Sequence, residues 1–482
     1  MTREGRTLSV CPNCKKRIPA QRVIIGTGVH LKKTCPEHGE FSAIIWRGDS
    51  PMFDMWWSAA QSAKALSTDC PNACGLCRSH LNKTCCALVE ITSRCNLRCP
   101  VCFASAAGAS EAKQTAVSSE TATQAAEPSV AELSEIFTKL VADGNTFVQL
   151  SGGEPTVRDD LPEIIAAARL AGCDTVQLNS NGLRLGREPG YAKTLADAGL
   201  SFVFMQFDGV TDAPYLALRG AALLSDKLRA IDECGTAGLG VTLVPTLKPG
   251  VNDHEIGAII ELAQSRSPVV RGVHFQPISY FGRYPSPPVD TDRITLPEVL
   301  TSIEAQTGGN FKISDFIPSS CDHPRCGFHG DFVVLPRGKI MKLTKKYDPD
   351  ACCCDDTVQS VADSEGIGTG SSPVRTAVRL TGESAAHLKN RAFVARRWKR
   401  SIDEEQSDLD IAGDTQSSAD ISGDAPDMSA FLSRVKSHGF TITAMAFQDA
   451  WTLELERLRK CSLHVISGGK TVPFCAQYLT SL

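Results

Sequence analysis

The stretch Cys95-Asn-Leu-Arg-Cys99-Pro-Val-Cys102-Phe103 decides the fold, because it places three cysteines four and three positions apart. A cubane iron–sulfur cluster has four irons, and proteins that only carry electrons usually give it four cysteines. Three neighbouring thiolates therefore leave one iron open to a small molecule. A structural zinc knuckle or a loop closed by disulfides is the alternative interpretation, and the residues downstream favour the cluster.

Strand and helix patterns alternate around and after this stretch. Six strands are predicted, at residues 87–92, 146–150, 175–179, 202–207, 240–245 and 273–277. Apolar residues at helical spacing predict helices between them, for example over 130–141 and 161–171. This alternation indicates a parallel sheet in an α/β protein.

Glycine-rich and polar motifs stand at the carboxyl ends of these strands, where α/β barrels place their chemistry. Gly152 and Gly153 let the backbone approach a ligand closely, and Glu154 offers a carboxylate to an ammonium group. Together with the three cysteines, this motif resembles the radical S-adenosylmethionine (SAM) superfamily. The resemblance implies a partial (β/α)6 TIM-type barrel and SAM chelated by the open iron of a 4Fe-4S cluster. It also implies a 5′-deoxyadenosyl radical that abstracts hydrogen from unactivated carbon.

Other residues at the strand ends are expected to contact SAM: Phe103, Asn179, Asn181, Asp208 and Gln276. Phe103 and Gln276 are placed beside the adenine, and Asn179 and Asn181 beside the ribose or the carboxylate. Asp208 is placed beside a ribose hydroxyl or a polar group of the substrate. Two alternatives stay open. Asn181 with Gly182 is also typical of a turn, and Asp208 is equally suited to begin a helix.

A mononuclear metal site is predicted near the N-terminus, where Cys11, Cys14, Cys35 and His38 form two knuckles. Three sulfurs and one nitrogen suit a tetrahedral ion. Zinc and rubredoxin-like iron both fit this donor set. His38 is the expected fourth ligand, with another cysteine as its rival.

Two further cysteine groups are predicted to bind auxiliary 4Fe-4S clusters. The first comprises Cys70, Cys74, Cys77 and Cys85, with Cys86 as the alternative to the last and zinc as the alternative metal. The second draws on distant segments and comprises Cys321, Cys326, Cys461 and Cys475. Adjacent side chains diverge, so at least two of the run Cys352-Cys353-Cys354 are not expected to be ligands.

Composition limits the other classes of protein. The chain has 482 residues, 42% of them hydrophobic and 22% charged, with a net charge of −4, which gives no electrostatic footprint for nucleic acid. No apolar run suggests a signal peptide or a membrane span, so a cytoplasmic location is expected. In a reducing compartment the 20 cysteines are better interpreted as metal ligands than as disulfides. Cys173 and Cys234 stand apart from the clusters and are expected to be core residues.

Motifs along nearly the whole chain carry a more specific resemblance. They include Cys35-Pro-Glu-His-Gly-Glu-Phe, Cys70-Pro-x-x-Cys-Gly-Leu-Cys, Leu218-Arg-Gly, Cys321-x-His-Pro-x-Cys and Phe447-Gln-Asp-Ala-Trp. The chain is similar to the archaeal tetraether lipid synthase family, whose members are also described as methyltransferases of a hydroxymethylpterin. The resemblance implies a SAM-binding cluster, two auxiliary clusters and a mononuclear rubredoxin-like iron. Three features depart from the pattern: the Cys352–Cys354 run, an acidic insert near residue 410, and Ser462 in place of a second cysteine beside Cys461.

Three enzymatic hypotheses follow. The first is carbon–carbon coupling of lipid tails of the tetraether type, which implies peripheral contact with a membrane. The second is radical methylation of a hydroxymethylpterin, and the third is peptide modification. Each requires a ferredoxin- or flavodoxin-type electron donor. A non-enzymatic binding module built of metal knuckles is the remaining class, and the Gly152–Glu154 motif argues against it.

Four regions are predicted. They are a metal knuckle at 1–49, an auxiliary-cluster segment at 50–86, the barrel at 87–290 and a C-terminal auxiliary-cluster domain at 291–482. Segments 104–128 and 401–427 are poor in large apolar residues, so they are expected to be disordered insertions.

Overall fold

The computed structural model describes residues 4–48, 53–58, 70–71, 76–77, 79–104, 107–108, 127–319, 321–344 and 428–480. Cys74 and the Cys352–Cys354 run lie outside the described residues. So does the whole of the predicted disordered segment 401–427 and all but a few residues of 104–128.

The strands of the described residues are, in chain order, β1 (Gly5–Val10), β2 (Arg17–Ile25), β3 (Gly28–Cys35), β4 (Gly39–Arg47), β5 (Cys86–Thr92), β6 (Arg94–Cys95), β7 (Ala107–Gly108), β8 (Phe147–Gly152), β9 (Thr175–Ser180), β10 (Phe202–Gln206), β11 (Gly240–Val244), β12 (Thr246–Leu247), β13 (Val270–Pro277), β14 (Ile317–Pro318), β15 (Gly327–Val334), β16 (Ile340–Lys342), β17 (Gly439–Met445), β18 (Leu463–Ser467) and β19 (Lys470–Pro473).

The α-helices are α1 (Met55–Ser58), α2 (Val130–Ala142), α3 (Leu161–Leu170), α4 (Leu183–Arg187), α5 (Tyr191–Asp197), α6 (Ala213–Arg219), α7 (Leu224–Thr236), α8 (Ile256–Ser265), α9 (Leu296–Gln306), α10 (Met428–Ser437), α11 (Leu455–Leu458) and α12 (Phe474–Thr480). Short 3-10 turns occur at Pro155–Val157, Asp290–Asp292, Ile313–Asp315, Pro324–Cys326 and Pro336–Gly338.

The N-terminal region is a four-stranded antiparallel sheet in the order β1-β2-β3-β4. It is anchored on the rest of the chain through its last strand. Arg47 donates to the carboxylate of Glu298 at 3.0 Å and, through its backbone N–H, to Thr295 Oγ1. Trp46 is buried and packs edge-on against Phe53. The metal-binding knuckle is thus fixed to the barrel helix α9.

A barrel-type parallel sheet confirms the predicted fold class. β5, β8, β9, β10, β11 and β13 pair side by side in chain order, all parallel. Helices between them cover one face, and α2 illustrates how local sequence starts such a helix. Ser129 accepts a hydrogen bond from the Glu132 N–H, and the Glu132 carboxylate accepts one from the Ser129 N–H. Such a capping box satisfies backbone donors that the helix leaves unpaired.

The C-terminal part of the chain extends the same sheet at both edges. β17 pairs in parallel with β13, and β18 pairs in parallel with β5. Antiparallel β15 then pairs with β17, and β19 with β18. The domain boundary at residue 290 stays a prediction, and the sheet itself continues across it.

The main core lies between this sheet and its helices. It contains the two isolated cysteines, Cys173 and Cys234, which are 2% and 0% exposed, as expected for small core residues.

Candidate active site

A cavity of about 410 Å³ lies between the cysteine loop and the carboxyl ends of the barrel strands. Cys95, Cys99 and Cys102 line one wall of it. Residues from the C-terminal part of the chain also line the cavity, among them Phe447 and Phe474. A volume of this size falls in the range of small-molecule sites.

The cysteine loop follows β5 directly and is fixed from outside by one arginine. Arg283 exchanges two backbone hydrogen bonds with Cys102, each 2.9 Å long, and its Nε donates to the Cys99 carbonyl at 3.0 Å. Burial raises the pKa of the Cys95 thiol to about 11. A free thiol there is protonated at neutral pH, so a bound metal has to displace the proton.

Gly152 and Gly153 pack directly under this loop. A Cβ on Gly152 would lie 2.1 Å from the Thr92 carbonyl oxygen, and one on Gly153 would lie 2.1 Å from that of Arg94. Gly152 also has φ of +129°, a backbone conformation that favours glycine. The two glycines therefore permit close contact between the β8 end and the backbone that leads into Cys95. The donor set and the close backbone fit a cluster held at this place.

Glu154 ties two strand ends together. Its carboxylate is 1% exposed and accepts hydrogen bonds from the Thr156 N–H and hydroxyl, the Ser180 hydroxyl and the Asn181 N–H. Four donors within the protein already occupy these oxygens. The predicted pairing of Glu154 with the SAM ammonium stays a prediction, and the structure gives the carboxylate a structural task as well.

The five remaining predicted SAM contacts divide into two groups. Phe103, Asn179, Asn181 and Gln276 line the cavity. Asn181 also donates to Asn96 Oδ1 of the cysteine loop at 2.7 Å. Asp208 is fully buried and is not part of the cavity lining.

Arg219 lines the cavity, although the sequence pointed to Asp208 and not to this arginine as a contact of SAM. It binds Asp208 through two hydrogen bonds of 2.7 and 2.8 Å, and its guanidinium contacts the Cys99 side chain. Asp208 therefore lies behind Arg219 and orients it, and its predicted contact with a ribose hydroxyl stays a prediction. The available signal was the Leu218-Arg-Gly motif, whose arginine was interpreted only as part of the family resemblance.

The predicted N-terminal metal ligands converge. The ligand atoms of Cys11, Cys14, Cys35 and His38 all lie within 4.8 Å of one another. The hydrogen bond with His38 lowers the pKa of Cys35 to about 6, which favours the thiolate. The described residues contain no other comparable group of three or more close ligands. A four-iron cluster holds its cysteines farther apart than a single ion does. Cysteines that bind a cluster therefore need not lie as close together as these four ligands.

The C-terminal cysteines are partly brought together. Cys326, Cys461 and Cys475 interact electrostatically, and burial raises the pKa of Cys475 to about 12. The Arg457 guanidinium donates to Cys326 Sγ at 3.4 Å. Cys321 is disulfide-bonded, so its place in this cluster stays a prediction.

The segment that carries Cys77 and Cys85 packs against the same C-terminal region. His80 contacts the Cys461 carbonyl at 2.8 Å, and the Cys85 N–H donates to the Ser462 carbonyl at 2.9 Å. Ser462, which departs from the family pattern, donates through its backbone N–H and its hydroxyl to Asp322 Oδ1. Ligation by Cys70, Cys77 and Cys85 is not tested by these contacts.

Among the described residues, no helix is both long enough and apolar enough to cross a membrane.

Comparison with known proteins identifies the two recognisable regions. Residues 89–263 match the family described as the radical SAM superfamily, and residues 4–47 match the "HMPTM N-terminal zinc ribbon domain". Among solved structures, methylornithine synthase aligns with a TM-score of 0.35 and 13% identity, over 47% of this chain and 63% of that chain.

Curated relatives extend the match over the whole chain. The GTP 3′,8-cyclase of Chlorobaculum tepidum is 27% identical over 52% of this chain and 69% of its own. The 7,8-dihydro-6-hydroxymethylpterin dimethyltransferase of Methanocaldococcus jannaschii is 33% identical over 98% of this chain and 93% of its own. The protein is a radical SAM enzyme, and it belongs to the family that includes this pterin dimethyltransferase.

Proposed function

We propose that the protein is a radical SAM C-methyltransferase that acts on a hydroxymethylpterin. One observation carries the proposal: the cavity that faces the three cysteines is a chamber of about 410 Å³ with polar side chains on its strands. These include Gln149, Asn179, Gln206, His274 and Thr443. A heterocycle rich in N–H and carbonyl groups can form further hydrogen bonds with such a lining, whereas an alkyl chain forms none.

The relative with the longest match supports the same choice, because its name states a pterin substrate and methyl transfer. Tetraether lipid coupling was the leading hypothesis from the sequence, and the comparisons give it no support. Pterin methylation, the second hypothesis, therefore replaces it.

Separate groups of residues bind the cluster and orient SAM in this proposal. Cys95, Cys99 and Cys102 hold the cluster, and Gly152 and Gly153 bring the β8 end against it. The cluster with SAM, once bound, supplies the one-electron chemistry that removes a hydrogen atom from carbon. Arg219 and the strand-end amides, among them Asn181, orient SAM from the side of β9 and β10.

Aromatic rings line one side of the chamber and limit its contact with water. Phe103 contacts the Tyr478 ring at a centroid distance of 4.9 Å, and Phe447 stacks on Phe474 at 4.3 Å. Phe103 directly follows the last cysteine of the loop, Phe474 and Tyr478 lie on helix α12, and Phe447 follows β17. Exclusion of water protects a reactive carbon-centred species from side reactions.

We assign the N-terminal site to a mononuclear zinc or iron ion and two cysteine groups to auxiliary 4Fe-4S clusters, with a ferredoxin- or flavodoxin-type donor supplying electrons. The two groups are Cys70, Cys74, Cys77 and Cys85, and Cys321, Cys326, Cys461 and Cys475. The convergence of four ligand atoms within 4.8 Å supports the first assignment. The proximity of Cys326 and Cys475 to Cys461, whose pKa they help to raise, supports the second.

The test is anaerobic reconstitution with iron, sulfide, SAM and a reductant, followed by 7,8-dihydro-6-hydroxymethylpterin. We expect 5′-deoxyadenosine and a pterin product heavier by one methyl group or two. Cys99→Ala should abolish both, while the buried Cys173→Ala should retain both, since Cys173 lies in the core away from the chamber. A wild-type enzyme that cleaves SAM and leaves the pterin unchanged contradicts the substrate assignment. One that never forms 5′-deoxyadenosine with any candidate substrate contradicts the site assignment.

A further inference from the structure

Three polar residues form a row across neighbouring strands on the chamber face of the sheet. His274 of β13 is paired with Thr443 of β17, and Thr443 is paired with His329 of β15. All three line the cavity. Directly opposed residues on adjacent strands share one face of a sheet, so the row forms a continuous polar strip.

His274 is held in a defined orientation. Its Nδ1 lies 2.7 Å from Thr443 Oγ1, and the Thr443 hydroxyl in turn donates to the Val273 carbonyl at 3.5 Å. A hydroxyl that donates to a carbonyl accepts from the imidazole. This arrangement favours the tautomer with the proton on Nδ1, in which Nε2 keeps its lone pair.

The Nε2 atom is left for a ligand. Within the described residues His274 makes no other hydrogen bond. Its Nε2 atom has no partner among these residues and is not enclosed by them. Burial lowers the pKa of His274 to about 4, so the ring is neutral at physiological pH. The Phe204 ring lies 5.5 Å from the imidazole, inclined by 42°. The chamber thus offers an aromatic wall beside one directed acceptor.

We propose that His274 determines substrate specificity by accepting, at Nε2, a hydrogen bond from a ring or amino N–H of a planar heterocycle seated against Phe204. Thr443 is a positioning residue that fixes the imidazole tautomer. This inference rests on the proposed function, since a pterin carries such N–H groups on its pyrimidine edge. It adds the residue pair that distinguishes an N–H-bearing ring from other occupants of the chamber.

The experiment compares His274→Gln with His274→Asn in the reconstituted, cluster-loaded enzyme. A glutamine amide reaches the Nε2 position, whereas an asparagine amide reaches only the Nδ1 position. We expect KM for 7,8-dihydro-6-hydroxymethylpterin to rise roughly tenfold in His274→Asn and about threefold or less in His274→Gln, the range of a single lost hydrogen bond. Substrate-independent SAM cleavage, measured in parallel, separates a loss of substrate binding from a loss of SAM binding.

Thr443 tests the tautomer independently. Thr443→Val removes the acceptor of Nδ1–H and should raise KM, and Thr443→Ser should restore it. The matched control is His254→Leu, because His254 is 68% exposed and lies outside the chamber lining. It should change neither KM nor SAM cleavage.

The outcomes separate the two proposals. If the wild type methylates the pterin and all His274 and Thr443 variants keep its KM, the assignment of His274 is wrong while the proposed function stands. The assignment is equally wrong if His274→Asn and His274→Gln raise KM by the same factor. If the wild type cleaves SAM but neither binds nor methylates the pterin, both the proposed function and this inference fall.

Discussion

Arg219 and Asp208 form an ion pair, joined by two hydrogen bonds, directly behind the cysteine loop. The donor–acceptor distances are 2.7 and 2.8 Å, and the two side chains are 11% and 0% exposed. The same guanidinium reaches the Cys99 side chain and Thr246 Oγ1. One buried pair therefore connects β10, α6, β12 and the cluster loop.

Breaking this pair should destabilise the protein strongly. Arg219→Leu leaves the Asp208 carboxylate buried without its partner, and the expected cost is about 3–5 kcal/mol in the free energy of unfolding. Urea unfolding followed by circular dichroism measures it. As control, Lys193→Ala removes an ion pair whose side chains are 64% and 63% exposed, and the change should stay within about 1 kcal/mol. Equal effects of the two variants contradict the role given to Arg219.

Gly153→Ala should prevent assembly of the SAM-binding cluster. The added Cβ would meet the Arg94 carbonyl oxygen at 2.1 Å, so the backbone that leads into Cys95 has to move. We expect lower iron content and no 5′-deoxyadenosine. Gly250→Ala is the control, because its Cβ meets nothing within 4 Å and only the positive φ of +71° is strained. If Gly153→Ala keeps full cluster absorbance, close packing at this point is not needed.

The N-terminal site should bind its ion independently of the chamber. Cys35→Ser is expected to remove one metal equivalent, measured by elemental analysis, and to leave SAM cleavage intact. His38→Cys should keep the ion, since cysteine supplies another donor suited to a tetrahedral site. Loss of metal in His38→Cys but not in His38→Ala would show that His38 is no ligand.

The partly buried carboxylate of Glu90 should make the free energy of unfolding depend on pH. Its carboxylate accepts a hydrogen bond from the Tyr478 hydroxyl at 2.9 Å, and burial raises its pKa above the usual 4.5. The folded state then binds a proton more tightly than the unfolded state, so the stability contributed by Glu90 is present below pH 4.5 and is lost as the pH rises through the folded pKa.

Glu90→Gln replaces the ionisable carboxylate with a neutral amide, so the variant does not lose this stability as the pH rises. The variant should be more stable than the wild type at pH values well above the folded pKa, with the difference shrinking as the pH falls toward the usual carboxyl pKa of about 4.5 and below. Urea unfolding at several pH values measures the difference. A gap that is constant with pH contradicts the assignment of the shift to Glu90.

Local patterns anticipated much of the fold. The predicted strands at 87–92 and 175–179 match β5 (Cys86–Thr92) and β9 (Thr175–Ser180), because short runs rich in apolar and β-branched residues are typical of strands buried on both faces. The four N-terminal ligands were likewise found from their spacing. The pairing of Asp208 with Arg219 was not anticipated, because Arg219 lies on another element and sequence spacing does not reveal such a salt bridge.

The sequence by itself determined that the chain is a radical SAM barrel, since three thiolates at fixed spacing and six strand–helix repeats are local signals. Only the tertiary structure decided what closes the chamber. Thr443 lies opposite His274 across 169 residues, and β18 returns to β5 from the far end of the chain. Such pairings depend on which strand edge remains open after the barrel has formed, and on a register set by packing on both faces. Those contacts exist only once the chain is folded.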